Sequence, residues 1–284
     1  MPADFSFVST VYSHGWCELA PFHVDAENWR LSTVFLDRNE NAVPAVISEE
    51  NELIRIDLAV AGFDAAQVAS DTRHILRLED DMNGLYEAVA KHERLQWIGE
   101  RRAGRMLRSV TVYEDLVKTI CTTNCSWALT KKMVSNLVEK LGTPAVNGKR
   151  AFPTPEAMAS VSADFYRDEI RAGYRSPYFV EMAETVASGK LDPQAWLISD
   201  LPTPELKKEM KKVKGVGDYA AENLLKLIGR YDGLALDSWL RSQFYKNHNK
   251  EKVCPDNKIE RHYKKFGKWR GLVIWCDMTE KWSA

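Results

Sequence analysis

The sequence predicts an α+β fold that is predominantly helical, with a small antiparallel sheet first and helices after it. Two observations carry that expectation. Over the first ninety residues, short runs rich in Val and Ile are separated by Asn/Glu clusters; from about residue 84 onward, apolar residues recur at helical spacing instead. Leu31, Val34 and Leu36 precede the turn Asn39-Glu40-Asn41, and Val43, Val46 and Ile47 precede Glu49-Glu50-Asn51. Leu53, Ile54, Ile56, Leu58 and Val60 then partly alternate with polar residues, which completes a meander. Asp64 to Leu78 reads as a helix followed by a short extended piece. A helical stripe runs from Asp115 to Leu141 through Leu116, Ile120, Trp127, Met133, Val134 and Leu137, and Gly142-Thr143-Pro144 stops it. Thr154-Pro155 opens a further helix as N-cap and first helical residue, and Thr203-Pro204 does the same later.

Length and composition narrow the class. A chain of 284 residues with 45% hydrophobic and 28% charged residues is that of an ordinary globular protein of two domains or one large one. We divide it into a β-rich segment (1–95), a central helical segment (96–200) and a C-terminal helical segment (201–284) packed with the central one. No stretch reaches the roughly 18 consecutive apolar residues of a membrane helix, and MPADFSFVST lacks the pattern of a secretory signal. Five irregularly spaced cysteines suggest reduced thiols, hence an intracellular protein. The net charge of -1 conceals an asymmetry. Residues 1–90 hold 5 Arg and no Lys against 16 acidic residues, whereas residues 201–270 hold 17 basic against 9 acidic. The basic segment suits a polyanion, although solvated helix faces would give the same count.

The most informative stretch is Lys211–Tyr245. A helix beginning near Pro204 and running to Val213, the turn Gly215-Val216-Gly217 and a second helix from Asp218 to Ile228 form a hairpin, with Asp218 at the N-cap position. Two glycines around one apolar residue permit positive φ and leave backbone N–H groups uncovered at a helix start, a seat for a phosphate. Lys211, Lys212 and Lys214 add attraction beside it.

This hairpin, followed about twenty residues later by Asp237 within Leu234-Ala235-Leu236-Asp237-Ser238-Trp239, resembles the helix-hairpin-helix-GPD superfamily of DNA glycosylases. Ile120-Cys121-Thr122-Thr123-Asn124 is similar to the 8-oxoguanine glycosylase segment whose asparagine fills the gap left by a flipped nucleotide. Gly173-Tyr174-Arg175 is similar to the segment whose tyrosine wedges beside the opposite base. Lys268-Trp269-Arg270 and Thr279-Glu280-Lys281-Trp282 look more like the bacterial inducible 3-methyladenine glycosylase. The resemblance implies an extra N-terminal sheet domain beside the glycosylase domains, action as a monomer on double-stranded DNA containing a damaged base, and no organic cofactor. A monovalent cation at the hairpin carbonyls is compatible with it.

Departures from the pattern sharpen the expectation. The lysine that 8-oxoguanine glycosylases place two residues after the Gly-x-Gly turn is Tyr219 here, and tyrosine cannot form an imine. A monofunctional enzyme without β-lyase activity follows. The glutamine those enzymes carry on their final helix is replaced by Leu272-Val273-Ile274-Trp275. Cys254 and Cys276 are too few for a four-thiolate iron–sulfur cluster, and His248 and His262 lack paired metal spacing, so no metal is expected. The resemblance makes Asp237 the catalytic carboxylate that stabilises positive charge on the sugar, with helix capping as a compatible second role. Tyr219, Trp16 and Trp275 are candidates for the base pocket. Gly215, Val216, Gly217, Lys212, Lys214, Asn124, Tyr174 and Arg175 are candidates for DNA contact. Alkylated purines are the favoured substrates; 8-oxoguanine excision and lesion binding without cleavage are the alternatives.

Overall fold

A computed structural model describes residues 1–59 and 62–282. The meander forms as four antiparallel strands in sequence order: β1 (His23–Asp25), β2 (Arg30–Leu36), β3 (Ala42–Glu50) and β4 (Leu53–Leu58). The register sets Leu31 opposite Ile47 and Phe35 opposite Val43. Period-two alternation therefore sends these four side chains to one face, where all are buried. β1 has only three residues and gave no periodic signal. Val60 lies outside the described residues. Asp64 caps the helix Ala65–Leu76 through Gln67 N–H at 3.0 Å, and Arg77, in the left-handed region at φ 56, ends it.

Arg77 joins the sheet half to the helical half. Its guanidinium is fully buried, donates to Leu227 O at 2.8 Å, and also contacts Asp80 and the Tyr231 hydroxyl. Arg108 Nε donates to the same carbonyl at 2.5 Å. Two guanidinium groups thus satisfy the C-terminal carbonyls of the second hairpin helix, where the helix dipole also favours cations.

The stripe from Asp115 to Leu141 is not one helix. It divides into α1 (Val112–Thr122) and α2 (Trp127–Leu141), separated by a break at Thr123–Ser126 in which Asn124 adopts φ 48. Asparagine tolerates that left-handed conformation, and Ser126 recaps the chain through Leu129 N–H at 3.3 Å. The helix Pro155–Ala159 is capped by Thr154 with proline in its first turn, as expected. The remaining site-building helices are α3 (Ser176–Ala187), α4 (Thr203–Met210), α5 (Asp218–Leu227), α6 (Ser238–His248) and α7 (Arg270–Thr279). α4 ends at Met210 rather than Val213, and Pro202, not Thr203, is its cap residue.

Burial pushes two histidines down to about 4, His14 (ring bonded to Leu107 O at 2.8 Å) and His74. The unfolded chain binds these protons more tightly, so this contribution is complete above pH 6.5 and is lost as pH falls toward 4; it amounts to roughly 3 kcal/mol for His14. Asp71, pushed up to about 6 by burial, opposes it as one group against two. We expect a lower Tm at pH 5 than at pH 7 by thermal unfolding, most of the difference vanishing in His14→Gln.

Candidate active site

A cleft of about 920 Å³ opens between the hairpin turn, the break after α1 and the start of α6. The hairpin supplies one wall. α4 buries Leu206 and Met210, and α5 buries Ala220, Ala221, Leu224 and Leu225, so apolar contact fixes the pair. Val216 at the tip is buried, while Gly215 has φ 90 and a Cβ there would stand 3.0 Å from the Tyr178 ring. Both demands select glycine.

Gly217, not Asp218, is the N-cap of α5. Asp218 is the first helical residue, and its exposed carboxylate pairs with Lys211 at 3.0 Å and Lys207 at 3.1 Å, which hold it below the ordinary carboxylate range. Because the cap is glycine, no side chain caps the first-turn N–H groups, and the residues that carry them line the cleft. Lys212 pairs with Glu209 at 2.6 Å and Lys214 with Glu181. Such exposed pairs are worth about 0–1 kcal/mol, little to set against a phosphate.

Asp237 stands across the cleft from the turn. It caps α6, accepting Leu240 N–H on Oδ1 at 2.7 Å, which leaves Oδ2 free of that bond. The Tyr219 hydroxyl, on the second residue of α5, lies close enough to the same carboxylate to feel its charge. Burial and the Asp237 charge push that hydroxyl up to about 12, so it is a neutral donor at physiological pH. The two residues face each other because α5 and the α6 cap both border the cleft.

The far rim holds Asn124 and Tyr174. Asn124 is exposed, and its amide lies 3.4 Å from the Tyr174 hydroxyl. Tyr174 is 52% exposed, with its ring edge-on to Tyr178 at 6.0 Å. A polar amide and a projecting ring on one rim can occupy an opened base pair.

Three expectations are corrected. Arg175 does not face the cleft. It is buried and donates to Ile120 O at 3.1 Å, Ala172 O at 3.4 Å and Thr123 O, so it ties the Tyr174 segment to the break that carries Asn124. Trp16 does not line the cleft either. It is packed in the core with its indole N–H on the buried carboxylate of Asp115 at 2.7 Å, the one partner that satisfies it there. Trp275 is set back from the cleft, with its N–H bonded to Ser13 O at 2.8 Å. It belongs to a group of three indoles, 6.1 Å from Trp239 and 5.7 Å from Trp282, and Trp239 follows Asp237 by two residues.

Among the described residues, one group of three side chains could offer metal ligands: His248, His262 and Asp277. Sequence spacing did not reveal it because Asp277 comes from α7. Its carboxylate already accepts from His248 at 2.7 Å, the Tyr263 hydroxyl at 2.6 Å and the Arg94 guanidinium at 2.9 Å. A carboxylate neutralised by arginine has no charge left for a cation, so the group is a polar link between α6, α7 and the turn at Arg94.

No protein-family model and no curated protein sequence matches the chain. Solved structures do. MBOgg1 in complex with a low-affinity DNA ligand is 22% identical, with a TM-score of 0.78, covering 98% of this chain and 93% of that one. The 3-methyladenine DNA glycosylase from Archaeoglobus fulgidus is 20% identical, with a TM-score of 0.76, covering 98% and 95%. The Clostridium acetobutylicum 8-oxoguanine glycosylase/lyase, solved with double-stranded DNA containing cytosine opposite 8-oxoG, is 16% identical, with a TM-score of 0.72, covering 98% and 92%. Over nearly its whole length, the chain therefore has the α+β, mostly helical fold of these DNA glycosylases.

Proposed function

We propose that this protein is a monofunctional DNA glycosylase that removes alkylated purines and leaves an abasic site. The observation that carries the reading is the placement of Asp237 and Tyr219 together at a cleft bounded by a helix start with no side-chain cap and the Asn124–Tyr174 rim. The first-turn N–H groups of α5 and the neighbouring lysines hold the phosphate backbone. Asn124 and Tyr174 fill the space vacated by the flipped nucleotide, whose extrusion costs a few kcal/mol. The C1′–N bond then breaks with its electron pair leaving on the base, and the sugar becomes cationic. Asp237 stabilises that charge through its carboxylate and orients the water whose oxygen bonds to C1′, while the water's proton passes to the carboxylate or solvent. Tyr219 fixes the carboxylate and offers no amine, so no imine forms. The rings of Tyr178 and Tyr219, which line the cleft, give an electron-poor base aromatic surface to stack on.

A panel of duplexes each carrying one lesion tests this reading by chromatography of the free base. It includes 3-methyladenine, ethenoadenine, hypoxanthine and 8-oxoguanine. Release of an alkylated base supports the assignment; release of 8-oxoguanine alone moves the substrate to oxidised purines, and tight lesion binding without any release makes the protein a reader. Lys212→Ala and Lys214→Ala are each expected to weaken binding of all duplexes alike. Each should lower the slope of log K against log salt by about 1, measured by fluorescence anisotropy.

A further inference from the structure

Two residues before Asp237, Ala235 sits at φ 51, a left-handed conformation in which alanine is strained. Such a turn persists only where its surroundings hold it, and α5 supplies the holders. Glu222 accepts the Ala235 N–H, while its other oxygen pairs with Lys207 at 2.6 Å. Lys226, one turn further along α5, donates from Nζ to Leu234 O at 3.3 Å. Lys226 has no solvent exposure at all, and its ammonium lies 5.7 Å from the Trp275 ring centroid. A buried ammonium is unfavourable in a helix of this kind unless its charge is used. Leucine or methionine would pack as well.

We infer that Lys226, with Glu222, is a positioning clamp: it holds the strained turn at Leu234-Ala235 so that Asp237 is presented to the sugar. The inference rests on the glycosylase reading of Asp237. The two side chains sit four residues apart on one helix face and grip the two ends of one peptide group, Leu234–Ala235, by opposite chemistry, acceptor to its N–H and donor to its C=O. The groups facing the ammonium are Glu222 on its own helix, Asp237 ahead of α6, the thiol of Cys276 on α7, and the His14 ring from the N-terminal turn. The Arg77 guanidinium approaches the Lys226 backbone carbonyl at 3.4 Å. Burial outweighs the two carboxylates and lowers Lys226 to about 8, while Cys276 stays neutral at about 12 and His14 is neutral above about 4. Lys226 is thus the member of this group that changes charge just above neutrality.

Lys226→Met keeps an unbranched side chain one atom shorter and removes both the donor and the buried charge. In single-turnover base release we expect its rate to fall by about 100-fold, the scale of a misplaced catalytic group, with duplex Kd unchanged within about twofold. The wild-type rate should fall on the alkaline side around pH 8, and this limb should be missing in Lys226→Met. Tm should not drop, because the variant buries no ammonium. In an Ala235→Gly background, where glycine removes the strain, Lys226→Met should cost much less. A variant that releases base at the wild-type rate would overturn the clamp while leaving the glycosylase reading intact. So would equal losses of rate in both backgrounds accompanied by a lower Tm, the mark of a merely structural lysine. Should the wild type release no base, the glycosylase reading fails and amide exchange at Leu234–Asp237 decides on the clamp. Faster exchange in Lys226→Met supports it, and unchanged exchange overturns it.

Discussion

Asp237→Asn should abolish most base release while leaving the protein folded. Asparagine is as good an N-cap as aspartate, so the bond to Leu240 N–H survives and α6 keeps its start. What disappears is the negative charge facing the sugar. Removing a single pre-organised stabilising group typically costs about 100- to 1,000-fold in rate, and we expect a loss of that size in single-turnover release. Duplex binding should not weaken, because a carboxylate next to phosphates opposes binding if it does anything. The double outcome, slower chemistry with intact affinity, separates catalysis from folding. Base release at the wild-type rate would mean that Asp237 is only a cap.

Arg175→Ala should be the most destabilising change at the cleft. The guanidinium satisfies carbonyls on three residues from two separate segments, Ile120, Thr123 and Ala172. Ile120 O and Ala172 O keep backbone donors from Thr123 and Arg175, so truncation removes the charge-assisted bonds, each worth about 1.5–3 kcal/mol, and the packing of a buried guanidinium. A net loss of about 3 kcal/mol corresponds to a Tm lower by roughly 6–12 °C in a protein of this size. Lysine cannot replace the fork geometry and should recover little. The rim should suffer as well: with the break after α1 released, Asn124 and Tyr174 lose their mutual placement, and preference for lesion over intact duplex should narrow. Full stability in Arg175→Ala would show that the remaining donors to these carbonyls suffice.

These two residues also mark where the sequence was readable and where it was not. Asp237, the Gly215–Gly217 turn and the meander are local features. Their signals are an aspartate behind the apolar lead-in Leu234-Ala235-Leu236, two glycines around one apolar residue, and short apolar runs between Asn/Glu turns, each confined to a few residues. Arg175 looked like a DNA contact because a lone arginine in a loop carries no sign of the carbonyls that enclose it, which lie 55 residues away in sequence at Ile120. Trp16 is comparable, since its partner Asp115 is 99 residues distant. The break at Asn124 did leave a trace: the run Thr122-Thr123-Asn124-Cys125-Ser126 is polar and rich in cap-forming residues within an otherwise apolar stripe. Asp218 misled for a simpler reason. An aspartate at the start of a helix suits both the cap and the first turn, and here glycine took the cap while two lysines took the carboxylate.

The claim at the centre of this account is that Asp237 works without an amine nucleophile. It is tested most directly by single-turnover strand breakage of a 3-methyladenine duplex, with and without alkali, by wild type and Asp237→Asn. The account predicts breakage by the wild type only after alkali, reduced at least about 100-fold in the variant. Wild-type breakage without alkali, with a covalent adduct trapped by borohydride, would contradict it and require an amine in the cleft.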